Sequence, residues 1–176
     1  MKEFTKRLIK ILDESIHEYA EIEVNKINFT EDVVNACKMN YCGKYNTTWT
    51  CPPGVGTLKS LKEKFNKYET AFVFTTKHQL EDSFDIEGMD KARIQHEKRD
   101  EKIQKEIVDV KYKILSASCC DICKKCAYPD NPCRFPDKAK TTVEACGIDV
   151  VNLAKDCNIK YNNGENTVTY FSIVFF

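Results

Sequence analysis

Residues 167–176 read TVTYFSIVFF, and this stretch decides the fold class. It is rich in β-branched and aromatic residues, follows the turn signal NNGEN at 162–166, and is long and apolar enough to be a central strand. A second apolar run, AFVFTT at 71–76, has the composition of another buried strand. The alternation of EIEVN at 21–25 predicts a third, half-buried strand.

Apolar residues at helical spacing lie between these strands. The spacing predicts a helix from Phe4 to Ile16, a short helical turn after Thr30, and a helix over 57–68. Helices that alternate with strands indicate layers of both kinds. We therefore predict one α/β domain over residues 1–176, with α+β as the alternative, in which a three- to four-stranded sheet packs against helices.

Two further helices are predicted in the second half of the chain. Residues 86–117 are rich in good helix formers and predict one long helix, whose charged first half is expected to project over the surface or to act as a lid. Thr141 and Glu144 have the spacing of a capping box and predict a helix that reaches Cys157. Cys146 and Cys157 would lie on the apolar face of that helix, as core residues.

Composition narrows the classes of function. The chain contains 27 Lys and Arg and 27 Asp and Glu, so no net charge favours binding to nucleic acid. No stretch approaches the roughly 18 apolar residues of a membrane span, and the mean hydropathy is −0.48. The N-terminal residues lack the pattern of a signal peptide, so we expect a cytoplasmic location. Ten cysteines in a reducing compartment favour metal ligands over disulfides.

The strongest chemical signal is the segment CDICKKC at 120–126, a C-x2-C-x2-C run that is followed by a cysteine within PCRFP at 132–136. Such a triplet with a later cysteine beside proline is typical of bacterial ferredoxins. We call these four residues the second cysteine group: Cys120, Cys123, Cys126 and Cys133. They predict one [4Fe-4S] cluster, and structural zinc is the alternative because it also accepts four thiolates.

Another three cysteines lie in CKMNYCGKYNTTWTCPPGVG at 37–56, and we call them the first cysteine group: Cys37, Cys42 and Cys51. Three protein ligands would leave one position of a bound metal open for substrate, and Cys119 could instead complete the set. The alternative is that these thiols are buried in a loop with no metal. Loops 37–56 and 119–136 are expected to lie near each other at one end of the fold.

These two segments resemble a prokaryotic family of uncharacterised, predicted metal-binding proteins. The shared pattern is C-x4-C with a later Tyr and W-x-CPP, then C-x2-C-x2-C with a later C-R-x-P, and EACGIDV at 144–150 is also similar. The resemblance implies that all seven cysteines of the two groups are the family's ligands. Ser118-Cys119 departs from the small residue and proline that commonly precede the family's triplet, so either Cys119 or Cys120 could lead it.

The sequence thus predicts an iron–sulfur protein with one or two [4Fe-4S] clusters, which acts in electron transfer or as a small redox enzyme. The alternative is a zinc-binding structural or interaction module. A redox partner protein or a small-molecule substrate is expected, with no nucleic acid and no membrane. No catalytic acid or base is identifiable from the sequence.

Overall fold

The computed structural model describes residues 1–176 and contains four strands in one antiparallel sheet. The strands are β1 (Tyr19–Glu23), β2 (Thr70–Gln79), β3 (Lys113–Leu115) and β4 (Thr167–Phe175), in the spatial order β1-β2-β4-β3. The predicted last strand is therefore central: β4 pairs with β2 on one side and with β3 on the other. This confirms a mixed α/β fold, and every strand pair in it is antiparallel.

Five helices surround the sheet: α1 (Glu3–Leu12), α2 (Glu31–Lys38), α3 (Leu58–Phe65), α4 (Ile86–Glu106) and α5 (Val150–Asp156). Thr30, Thr57, Asp85 and Asp149 cap the last four by accepting backbone N–H groups. The helices predicted near residues 4, 30 and 57 are therefore present. No helix has the length and apolar character needed to cross a membrane.

Both faces of the sheet are apolar, because successive side chains of a strand point to opposite sides. Phe72 and Phe74 of β2 pack with α1 and α4, whereas Ala71 and Val73 face α3 and α5. On β4, Ile173 belongs to the α3 and α5 side. The sheet is therefore a middle layer between two sets of helices.

The single long helix predicted over 86–117 is wrong beyond Glu106. Ile107 has extended backbone, and Lys113–Leu115 pair with β4 as an edge strand. Ile103 and Ile107 nevertheless share one core cluster with Ile114 of β3, although the helix has ended between them. As a strand, Lys113–Leu115 pairs with backbone N–H and C=O groups of β4 that would otherwise lack partners on that side.

The predicted helix from Thr141 to Cys157 is wrong before Asp149, where the chain turns sharply, whereas Val150–Asp156 is helical as predicted. Residues 144–146 form one 3-10 turn, and Gly147 follows with a φ of +77°. A side chain at Gly147 would collide with Leu58 of α3, so glycine permits both the turn and the close packing. Cys146 is buried in the core and Cys157 packs against it, as predicted, but on separate elements.

The charged half of α4 is not a surface projection, which corrects another prediction. His96, Glu97 and Asp100 are buried. Their partners are polar groups: His96 bonds to Thr76 of β2 and to Ser172 of β4. Hydrophobic periodicity did not detect this face, because hydrogen bonds rather than apolar contacts hold it.

Candidate metal centre

Two long connections without regular structure carry seven of the ten cysteines, and Cys37 lies at the end of the helix that precedes the first connection. The first cysteine group occupies the end of α2 and the connection from α2 to α3, and the remaining five of these cysteines lie between β3 and the turn at 144–146. The second connection is closed at its base, where Ser116 donates its N–H to the Thr141 carbonyl at 2.8 Å. All ten cysteines are free thiols.

The two cysteine loops lie against each other. The Trp49 indole donates to the Asn131 carbonyl at 2.9 Å, and its ring contacts Tyr128 edge-to-face with centroids 4.9 Å apart. Tyr128 in turn donates its hydroxyl to the Asn46 side chain at 2.9 Å. A side chain at Gly54 would meet the Tyr128 ring at 2.8 Å, so this glycine allows the loops to approach closely.

All four members of the second cysteine group line one small cavity. Its volume is about 20 Å³, and its other walls include Trp49, Ile122 and Phe135. Arg134 donates to the Lys125 carbonyl at 3.0 Å, which links the backbone near Cys126 to the backbone near Cys133. The fold therefore brings these four thiols to one small cavity whose other walls are mainly apolar.

The structure places Cys119 with the first cysteine group. The sulfurs of Cys51 and Cys119 are 3.7 Å apart, too far for a disulfide and within range of an S–H···S hydrogen bond. Cys120, the next residue, lines the cavity of the second cysteine group instead. Cys120 therefore leads the triplet, and Cys119 is the fourth thiol beside the first cysteine group.

Electrostatic interactions also connect the thiols of the first cysteine group. Burial raises the pKa of Cys37, and the nearby Cys42 and Cys51 raise it further. The hydrogen bond from Cys119 lowers the pKa of Cys51 to about 6, although burial opposes the shift, and it raises the pKa of Cys119. The first proton to leave this pair therefore comes from Cys51, so a thiolate forms where a metal would need one.

The donor set indicates which metals fit. Two sets of four thiols, with no histidine among them, suit soft metals such as zinc or the irons of an iron–sulfur cluster. No three His, Cys, Asp or Glu side chains are already gathered tightly enough to hold a single ion. Binding of any metal would therefore draw the thiols into their final positions.

Three features of this region were not found from the sequence. The hydroxyls of Thr48 and Thr50 help to lower the pKa of Cys51. Glu144 lies near enough to Cys37 to raise the pKa of that thiol. The two threonines flank Trp49 in NTTWTC. No spacing rule identifies them as neighbours of the Cys51 sulfur, because that proximity depends on how the loop folds.

Comparison with known protein families agrees with the chemistry of these thiols. Residues 20–176 match a family described as predicted metal-binding protein (DUF2284). The chain belongs to this family. The match begins in β1 and includes both cysteine loops, so it covers every thiol discussed above. Neither the curated proteins nor the solved structures include a significant match.

Membership in this family assigns metal binding but leaves the metal open. The family description names neither iron–sulfur nor zinc, and it names no reaction. What distinguishes these possibilities must therefore come from the geometry of the two cysteine groups and from measurement.

Proposed function

We propose that this member of the family binds a [4Fe-4S] cluster at the second cysteine group and acts in electron transfer or as a small redox enzyme. The observation that carries the proposal is the convergence of Cys120, Cys123, Cys126 and Cys133 on one cavity. Three closely spaced cysteines with a fourth from a later segment are typical of such clusters. A bound cluster would supply one-electron transfer.

The surrounding residues would control the environment of that centre. Trp49, Ile122 and Phe135 cover the thiols with apolar groups, which excludes water and thereby influences a reduction potential. Ile122 and Phe135 are themselves 38% and 46% exposed. The centre would therefore lie just below the surface, where an electron can enter or leave.

A second centre at Cys37, Cys42, Cys51 and Cys119 would extend this arrangement. Cys119 and Cys120 are adjacent in the chain but face different groups. Adjacent α-carbons are only about 3.8 Å apart, so two centres held in this way would be close neighbours. Two clusters would then form a short path for electrons between the first and the second cysteine group.

The charge of the two loops supports a thiolate-held centre. Residues 37–57 and 119–140 contain seven Lys or Arg and three Asp, a formal charge of +4 in a chain whose total is zero. Positive groups offset the negative charge of ligating thiolates. The same surface would attract a redox partner with an acidic face, which is the partner we propose.

The test is metal analysis of protein purified without oxygen. We expect iron with matching acid-labile sulfide: about eight irons per chain if both groups are occupied, and about four if one is. Cys126→Ala should remove about four irons, and Cys157→Ala is the control, because Cys157 packs against the core and belongs to neither cysteine loop. Zinc without sulfide would contradict the redox proposal.

The second candidate is a zinc-binding structural or interaction module, and one distance favours it. The 3.7 Å between the sulfurs of Cys51 and Cys119 is close to the separation of two thiolates on one tetrahedral zinc, roughly 3.8 Å for Zn–S bonds of about 2.3 Å. One zinc per chain that is lost in Cys119→Ala and retained in Cys126→Ala would assign zinc to the first cysteine group. The reverse result would assign it to the second.

A further inference from the structure

A line of buried polar side chains joins the sheet to α4. The His78 ring nitrogen Nε2 is 2.9 Å from the Thr76 hydroxyl, which is 2.8 Å from Nδ1 of His96. On the other side of that ring, Nε2 is 2.9 Å from the Ser172 hydroxyl, and this hydroxyl donates to Asp100 Oδ2 at 3.1 Å. His78 is half-buried, whereas the other four residues are buried. The line therefore runs from near the surface into the core.

The hydrogen bonds of this line can all point the same way. Burial lowers the pKa of His96 to about 3, so its ring is neutral and carries one N–H. When Ser172 donates to the Asp100 carboxylate, His96 donates to Ser172 and accepts from Thr76, which accepts from His78. Every member between the two ends both donates and accepts, and this is the property that lets a proton pass along a chain.

Asp100, at the inner end, has an incomplete set of partners. Its Oδ2 also accepts from Ser116 at 2.6 Å, but its Oδ1 is buried and has no partner. Asp100 lines a cavity of about 370 Å³ between α4 and residues 137–141. Burial raises the pKa of Asp100 to about 7, although the two serine hydroxyls oppose the shift. This carboxyl can therefore exist in either form near neutral pH.

Charged groups from each neighbouring element face this cavity. They are Glu97 and Glu101 on α4, Lys113 on β3, and Asp137, Lys138 and Lys140 on the loop. Lys140 pairs with Glu97 at 2.8 Å and with Asp121 at 3.5 Å. Asp121 follows Cys120 directly. Ion pairs from Glu97 through Lys140 to Asp121 therefore link the cavity beside Asp100 to the residue next to Cys120.

We propose that Asp100 gains a proton when the centre held by the second cysteine group is reduced. This inference rests on the proposed redox function. The electron comes from an external one-electron donor and the proton from solvent; the only bond formed is the O–H bond of Asp100. Each added negative charge at the cysteines favours the neutral form of a buried carboxyl nearby. The proton reaches Asp100 along the line that begins at His78.

The first experiment needs no metal. Infrared spectra of the metal-free protein, recorded between pH 5 and 9, should contain the C=O band of a buried neutral carboxyl that disappears near pH 7. Asp100→Asn should lack this band, and Glu106→Gln, which alters an exposed carboxyl on the same helix, should keep it. A wild-type spectrum with no such band, or a band that persists in Asp100→Asn, would overturn the assignment of the proton to Asp100.

The second experiment measures the reduction potential of the loaded protein against pH. In wild type the potential should fall as pH rises through the titration of Asp100, because reduction there takes up a proton. In Asp100→Asn the potential should not depend on pH in this range, and Glu106→Gln should behave as wild type. A loaded protein whose potential is the same at every pH would overturn the inference and leave the proposed function intact. A protein without a redox centre would overturn both, and only the infrared result would stand.

The route of the proton has its own test. Thr76→Val keeps the shape of the side chain but removes the hydroxyl between His78 and His96, so proton uptake after rapid reduction, followed with a pH indicator, should slow at least tenfold. Thr75→Val is the matched control: Thr75 is also buried in β2 but bonds to Glu18 instead. Equal rates in Thr76→Val and wild type would overturn this route for the proton.

Discussion

The sheet buries large apolar side chains on both faces, whereas the two cysteine loops bury few and hold each other through Trp49 and Tyr128. The sheet's strands and helices satisfy their own backbone groups, while residues 39–57 and 116–143 contain no helix and no strand of the sheet. The core should therefore fold without metal. The loops have too few apolar contacts to be rigid alone, so metal ligation would supply much of their order.

The sharpest test of this difference is to remove one ligand. Cys126→Ala should abolish metal binding at the second cysteine group, because three thiolates and no fourth ligand hold a closed site poorly. The far-ultraviolet circular dichroism should change little, since the sheet and its helices lie elsewhere. Loss of the circular dichroism signal together with the metal would mean that the metal is needed for the whole fold. The sheet would then depend on the metal as much as the cysteine loops do.

The complementary change is in the sheet. Phe175 is fully buried and packs on Phe65, with ring centroids 4.5 Å apart. Phe175→Ala should lower the free energy of unfolding by about 4 kcal/mol, because it removes apolar area and leaves a cavity. Metal per folded chain should stay at the wild-type value. Chemical denaturation of the metal-loaded protein, with metal analysis of the folded fraction, measures both quantities.

Asp100 lies where the two regions meet, and its effect on stability depends on pH. Its pKa of about 7 in the folded state exceeds the ordinary value of 3.8, so the folded state holds a proton that the unfolded state has released. The stability of wild type relative to Asp100→Asn should therefore fall as pH rises from about 4 to about 7, by on the order of 4 kcal/mol in total. Denaturation of the metal-free proteins across this range gives the difference.

The comparison with Asp100→Asn is needed because His96 acts in the opposite sense. Its pKa of about 3 lies below the ordinary 6.5, so its contribution to stability is lost as pH falls through that window. The stability of wild type alone would contain the effects of both Asp100 and His96. Because His96 is present in both proteins, its effect cancels in the difference between wild type and Asp100→Asn. A difference that is the same at every pH would show that Asp100 does not hold its proton in the folded state.

The smallest expected effect concerns the contact between the loops. Trp49→Phe removes the hydrogen bond to the Asn131 carbonyl but keeps an aromatic ring near Tyr128. We expect about 1 kcal/mol less stability, the usual net contribution of one hydrogen bond. Hydrogen exchange should show the loss within 44–56 and 127–133, with the sheet unchanged. Faster exchange in β4 would mean that the loops support the core.

Strands and helices were predicted where their apolar pattern is strong and local. TVTYFSIVFF is the central strand, and the helices that begin near Thr30 and Thr57 are present. Errors occurred at 107–117 and 141–149, where pairing with β4 and the turn at Gly147 overrode the helical spacing. Ser172 also indicates a buried contact: its hydroxyl lies within the apolar end of the central strand and needs a partner, and its partners His96 and Asp100 lie on α4.

Spacing along the chain was enough to group Cys120, Cys123, Cys126 and Cys133, because ligands only a few residues apart must lie near each other. By itself the sequence also determined the mixed α/β fold with one sheet, and it indicated a metal-binding protein, which the family match supports. Only the tertiary structure decided that Cys119 lies beside Cys51, 68 residues earlier, and that Asp100 is buried beneath Ser116 and Ser172. Contacts between distant residues depend on how the loops and helices pack, and local sequence pattern carries no record of that packing.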